Sequence, residues 1–153
     1  MAPYFSAVAV ARPAFLVTVS IQSTKRQGNL FVNTNGTQGL CTTGSSFVIV
    51  GDQLYENGLL ITANSSDGFG ALAPGANGTV SGGFAIDGNG VISWSSPSFT
   101  NGKASFCLGP DGIIDAIYVQ GTQPSDCVPA TLSQMSGSSC PGFNPVYPGV
   151  AGE

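Results

Sequence analysis

The sequence predicts an all-β fold: a single disulfide-bonded domain of about ten short antiparallel strands, built as a β-barrel, a β-trefoil-like body or a sandwich. Three observations predict it. No stretch of a dozen residues holds a helical period, while short runs rich in Val, Ile, Phe and Tyr recur between turn signals. Gly and Pro supply 22 and 10 of the 153 residues, enough to punctuate a strand-and-turn pattern along the whole chain. Charged residues are 8%, against roughly 25% in an average domain, yet hydrophobic residues hold at 42%. Polarity therefore comes from Ser, Thr, Asn, Gln and Gly, and a core remains to be buried. We place one all-β domain at 1–140 and a Pro/Gly-rich tail at 141–153.

The elements follow in order. "YFSAVAV" (4–10) and "FLVTVSI" (15–21) read as strands parted by Arg12-Pro13, and "NLFVNT" (29–34) ends in Asn35-Gly36. "SFVIVG" (46–51) and "QLYENG" (53–58) form a hairpin across Gly51-Asp52, followed by "LLITAN" (59–64). Residues 65–82 read as a long Gly-rich loop with a short β piece. "GFAIDGNGVISWS" (83–95) is a strong hairpin, because Asp87-Gly88-Asn89-Gly90 can supply positive φ angles at its turn. "KASFCLG" (103–109) and "IIDAIYVQ" (113–120) flank another good turn at Pro110-Asp111-Gly112, with Phe106, Leu108, Ile114, Ala116 and Tyr118 as its candidate buried face. "CVPATLSQM" (127–135) is a weaker last strand or a short helix. No threefold repeat stands out to favour a trefoil. In the tail, Phe143, Val146 and Tyr147 are the side chains able to dock on the body.

Composition excludes several functions. Net charge is −4, and the four basic residues Arg12, Lys25, Arg26 and Lys103 form no stripe, so neither nucleic acid nor an anionic membrane is expected as a partner. The apolar runs are too short to span a bilayer as a helix. The N-terminus lacks a basic region ahead of an apolar one, so it is not a complete signal peptide, and we read it as the start of a mature chain. With no histidine, Ser-His-Asp and Cys-His nucleophile systems and His-ligated zinc are ruled out. No cofactor and no metal are expected. "GPDGIID" offers too few oxygen ligands for calcium, and no CxxC occurs.

Cys41, Cys107, Cys127 and Cys140 read instead as a disulfide framework of an oxidising compartment. Four cysteines allow three connectivities, and spacing does not choose among them. Cys41–Cys107 with Cys127–Cys140 is our working expectation. Three sequons, at Asn35, Asn64 and Asn77, fall in predicted turns and are candidate N-glycosylation sites of a secreted chain. Carboxylate pairs are the remaining route to catalysis, Asp52 with Glu56 and Asp111 with Asp115. Asp52 and Asp111 sit beside turn glycines and read as turn formers, so no catalytic residue is assigned. Trp94, Tyr55 and Tyr118, with Phe99, are candidates for a sugar-stacking platform; alternation with Ile92 places Trp94 in the core instead.

Three stretches resemble a fungal cell-wall family, the PhiA-like proteins. "YFSAVAVARPAFLVTVSIQSTKRQGNLFVNTNGTQGLC" (4–41) is similar to the start of their mature chains, and "SFVIVGDQLYENGLLITA" (46–63) to the hairpin that follows. "GGFAIDGNGVISWSS…ASFCLGPDGIIDAIYVQGTQPSDC…SSC" (82–140) is the nearest part, and its cysteine order is similar to that of the C-terminal domain of yeast PIR cell-wall proteins. The resemblance implies a secreted, extracellular wall or spore-surface protein of a filamentous fungus, linked to conidium-bearing cells and IgE binding, with no catalytic residues to transfer. Phe84 stands where the family has another aromatic, Pro13 interrupts the N-terminal motif, and the tail after Cys140 is longer. The glutamine-rich repeat through which PIR proteins attach covalently to glucan does not occur in this sequence.

The expected function is therefore a non-catalytic structural protein of the cell wall, associating with itself through strand edges or with wall polysaccharide. The alternative is a carbohydrate-binding module using aromatic side chains. A glycosidase is the third and weakest reading.

Overall fold

The computed structural model describes residues 13–21, 30–75 and 78–149. The strand expected at 4–10 and the sequon at Asn77 lie outside them. Twelve strands follow in chain order: β1 (Phe15–Ile21), β2 (Leu30–Val32), β3 (Gln38–Gly39), β4 (Phe47–Val50), β5 (Gln53–Glu56), β6 (Leu59–Leu60), β7 (Phe69–Ala71), β8 (Phe84–Ile86), β9 (Ile92–Trp94), β10 (Ser105–Leu108), β11 (Ile114–Ile117) and β12 (Val128–Ser136). The all-β expectation holds, and among the described residues the only helical pieces are single 3-10 turns.

One curled antiparallel sheet in the order β6-β5-β4-β1-β12-β10-β11-β7 forms the body, with β2 and β3 added beside β1. Of the architectures expected, this is the barrel-like one. Ile61, just after β6, bridges Pro74, which follows β7 by three residues, so the two outermost strands of the curl meet. Joining them reduces the open edge that a flat sheet would present. The β8–β9 hairpin is a separate two-stranded ribbon. It docks through the Val91↔Ser133 bridge and through Gln134 N–H donating to Gly90 O at 2.8 Å.

β1 explains the layering. Its inward Phe15, Val17 and Val19 enter the main core, while Leu16 on the opposite face packs with Phe31 and Cys140 in a second, outer cluster. A strand buried on both faces reads as a continuous apolar run, which is what "FLVTV" is. The outer cluster is covered by Phe143, and the rest of the described tail is held at Ser46 and Ala14. Val146 N–H donates to Ser46 Oγ at 2.9 Å, and Ala14 N–H donates to the Tyr147 hydroxyl oxygen at 3.2 Å. The described tail is thus packed against the domain.

β12 departs most from expectation. It is the longest strand, with nine residues, and it lies at the middle of the sheet. Seven of them pair with β1, from Phe15↔Ser136 to Ile21↔Ala130, and its start pairs with β10. Only Leu132 of β12 is fully buried, so its pairing partners hold it in place more than its own hydrophobicity. Around the Pro110-Asp111-Gly112 turn, the five expected core residues are buried, and so are Cys107, Asp115 and Ile117. β10 and β11 are covered on both sides, which is why their alternation is blurred.

Candidate functional site

The structure pairs the cysteines as Cys41–Cys140 and Cys107–Cys127. The expected pairing of Cys41 with Cys107 and Cys127 with Cys140 is overturned. The reason is the sheet: Cys107 on β10 lies opposite Pro129 of β12, which brings Cys127 alongside it. The β1–β12 register meanwhile carries the chain after Ser136 toward the outer cluster, where Cys41 lies.

Trp94 is fully buried. Its ring stacks on Phe84 at 4.3 Å and meets Phe99 and Tyr118 edge-on at 5.4 and 5.8 Å, and its Nε1–H donates to Gly82 O at 3.0 Å. It offers no face to a sugar, because β9 turns it into the core together with Ile92. Tyr118 stacks on Phe99 at 5.4 Å and is 4% exposed, so its ring is no platform either. Tyr55 is half-buried, and its hydroxyl donates to Gln53 Oε1 at 3.3 Å. The three candidate stacking residues therefore do not form one exposed row.

The carboxylates are spent locally. Asp52 accepts from Gly83 N–H at 2.9 Å and ties the β4–β5 turn to the strand before β9. Asp87 accepts from Asn89 and Val91 N–H groups at 2.8 and 3.0 Å, and Asp111 from Ile113 N–H at 3.1 Å, each closing its own turn. Asp115 is buried against the Cys107–Cys127 pair, its carboxylate within 4.8 Å of both sulfurs, which are committed to the disulfide. Burial, and then the charge of Asp111, raises the Asp115 carboxyl above its ordinary range.

Glu56 was legible only as half of an acid pair, yet it is the more unusual group. It lies in one row with Phe47 and Phe15 across β5, β4 and β1, on the same face as Leu54, and is 1% exposed. Neither carboxylate oxygen has a hydrogen-bond partner among the described residues. Burial pushes its pKa from 4.5 up to about 7; the neighbouring Ser45 hydroxyl pulls the other way without reaching bonding geometry. The alternation Leu54, Glu56 was the signal for it, since both must face one side of the strand.

The sign of the consequence follows. A carboxyl whose pKa rises on folding holds its proton more tightly in the native state, so stability is full below pH 4.5 and is lost as pH rises through about 7. The loss is about 3 kcal/mol. Asp115 shifts in the same direction and adds to it. Urea unfolding at acidic and at mildly alkaline pH measures the difference, and Glu56→Gln is expected to remove most of it.

A cleft of about 320 Å³ opens between the Ser65–Asp67 turn, β7 and the end of β11. Thr62, Asn64, Asp67, Gly70 and Tyr118 line it. Asn64 stands at its rim with its Oδ1 accepting from Ser66 Oγ at 2.8 Å, whereas Asn35 is exposed on a turn with φ 61°. Of the two described sequons, only Asn35 is exposed and has no side-chain hydrogen bond within the described residues.

Against this geometry, a family described as a domain of unknown function, DUF7908, matches residues 11–138, most of the chain. The chain belongs to the DUF7908 family. No curated protein and no solved structure matches it. The DUF7908 span takes in all twelve strands, Glu56, the cleft and three of the cysteines. It ends two residues before Cys140, so the outer disulfide and the docked tail lie across the boundary of the DUF7908 match.

Proposed function

We propose that this DUF7908 chain is a secreted, non-catalytic structural protein of a fungal cell wall or spore surface, holding to wall polysaccharide or to other copies of itself. The observation that carries the reading is the pair of disulfides, which belong to an oxidising, extracytoplasmic setting. Three further features support it. Of the two expected acid pairs, Asp52 and Asp111 are bound to turn N–H groups and Glu56 and Asp115 are buried, so neither pair faces across a cleft. The meeting of β6 and β7 gives a body with little slack for proteases. Glu56 favours stability at acidic pH, which suits a protein working outside the cell. The wall location is what the resemblance of the cysteine order and of the "GFAIDGNGVI" hairpin to fungal cell-wall proteins implies.

Antibody detection in fractions of the producing organism tests this. The chain is expected in the wall or medium fraction, with an intact mass lighter by four hydrogen atoms than the reduced chain. A reduced chain confined to the cytosolic fraction would overturn the reading.

A further inference from the structure

The Tyr118 cleft has the chemistry of a binding site. Tyr118 is 4% exposed, and its backbone is clamped where its own N–H and that of Val119 both donate to Gly68 O, at 2.8 and 3.0 Å. Its ring is wedged against Phe99 and Trp94, so the hydroxyl is delivered to the cleft wall by a rigid aromatic stack. Among the described residues that hydroxyl has no hydrogen-bond partner, yet it is a group that both donates and accepts. The hydroxyl keeps contact with solvent at the cleft wall, where a ligand group can take the place of water.

What could complete it is set by the neighbours. Asp67, in the same cleft, is an acceptor and lies near enough for its charge to help push the Tyr118 hydroxyl pKa up to about 12, after burial as the main cause. The hydroxyl therefore stays protonated and able to donate. Thr62 Oγ1 donates to Gly75 O at 2.9 Å and keeps its lone pairs free for a ligand. Gly70 makes room: a Cβ there would stand 3.2 Å from the Tyr118 hydroxyl oxygen. No Lys or Arg lines the cleft among the described residues, so with Asp67 present an anionic ligand is disfavoured. A rigidly held hydroxyl facing the same cleft as the exposed Asp67 carboxylate matches adjacent hydroxyl groups, each of which accepts and donates in turn. The volume is at the small end of ligand pockets, about 300–1,000 Å³.

We infer that the cleft formed by Thr62, Asp67, Gly70 and Tyr118 binds a neutral sugar residue through two neighbouring hydroxyl groups. The site reads hydroxyl groups by hydrogen bonding and not by aromatic stacking, since the Tyr118 ring is packed against Phe99 and Trp94. The inference does not depend on where the protein resides.

Amide NMR spectra of the full chain, produced in a host that adds no glycans, test it. They are recorded with glucose, mannose, N-acetylglucosamine and, separately, glucosamine, each at about 10 mM, suited to the millimolar affinity of so small a contact. Saturable shifts are expected at the amides of 68–70 and 118–119 with at least one neutral sugar. Tyr118→Phe keeps every ring contact and should leave the rest of the spectrum and the unfolding midpoint in place, yet weaken binding about tenfold or more. Asp67→Asn should do the same. No saturable shift with any neutral sugar would overturn the inference, as would binding that both variants leave unchanged. A response to glucosamine alone would also overturn it, reporting charge pairing with Asp67 instead.

Discussion

Replacing Cys41 and Cys140 with serine is expected to lower the free energy of unfolding by about 4–5 kcal/mol, the largest single effect in this fold. The bond joins residues 99 apart in sequence, so its loss frees the longer of the two disulfide loops. Cys140 is buried among Leu16 and Phe31, and the docked tail starts directly after it. The double variant thus also loosens the cover of the outer cluster. Replacing Cys107 and Cys127, only 20 residues apart, should cost about 3 kcal/mol by the same chain-entropy argument. Urea midpoints of the two variants decide it. Equal losses would mean that loop length is not what the outer bond contributes.

Trp94→Ala is expected to cost about 4 kcal/mol. The ring fills the junction of the β8–β9 ribbon with the main core and is in contact with Phe84, Phe99 and Tyr118. Its removal leaves a cavity there and strands Gly82 O, the acceptor of its indole N–H. Trp94→Phe should cost less, since it keeps much of the stack and loses the hydrogen bond. As Trp94 is the sole tryptophan, its fluorescence follows the transition directly in the parent chain. It should be blue-shifted when folded and move red on unfolding, while calorimetry compares the variants. A ring already red-shifted in the native protein would contradict the burial described above.

How much of this was legible in the sequence depends on whether the cause was local. The β8–β9 hairpin was, because Asp87 closes the turn with its own carboxylate and the flanking residues alternate. The burial of Trp94 was too, from its spacing to Ile92. β12 reads weakly because Pro129 and a run of Ser, Thr and Gln carry little intrinsic strand preference; its place is given by β10 and by β1, the latter more than 100 residues away in the chain. The disulfide pairing was hidden for the same reason, since only the register of β12 reveals which cysteines meet. The cleft unites residues 62–70 with Tyr118, a juxtaposition made by β7 pairing with β11, and nothing in either segment alone announces the other.

The pairing of β1 with β12 also fixes an order of events while the chain is being made. Thr18 must wait for Ser133, 115 residues later, before the central pair of strands can zip. At typical elongation rates that wait is roughly ten seconds. During it Cys41 meets Cys107 and Cys127 before its native partner Cys140 has been synthesised. The nascent chain is thus offered two wrong partners first, and its last native bond must await its C-terminal end. Thiol–disulfide exchange would undo any such early bond, and an oxidoreductase would speed it.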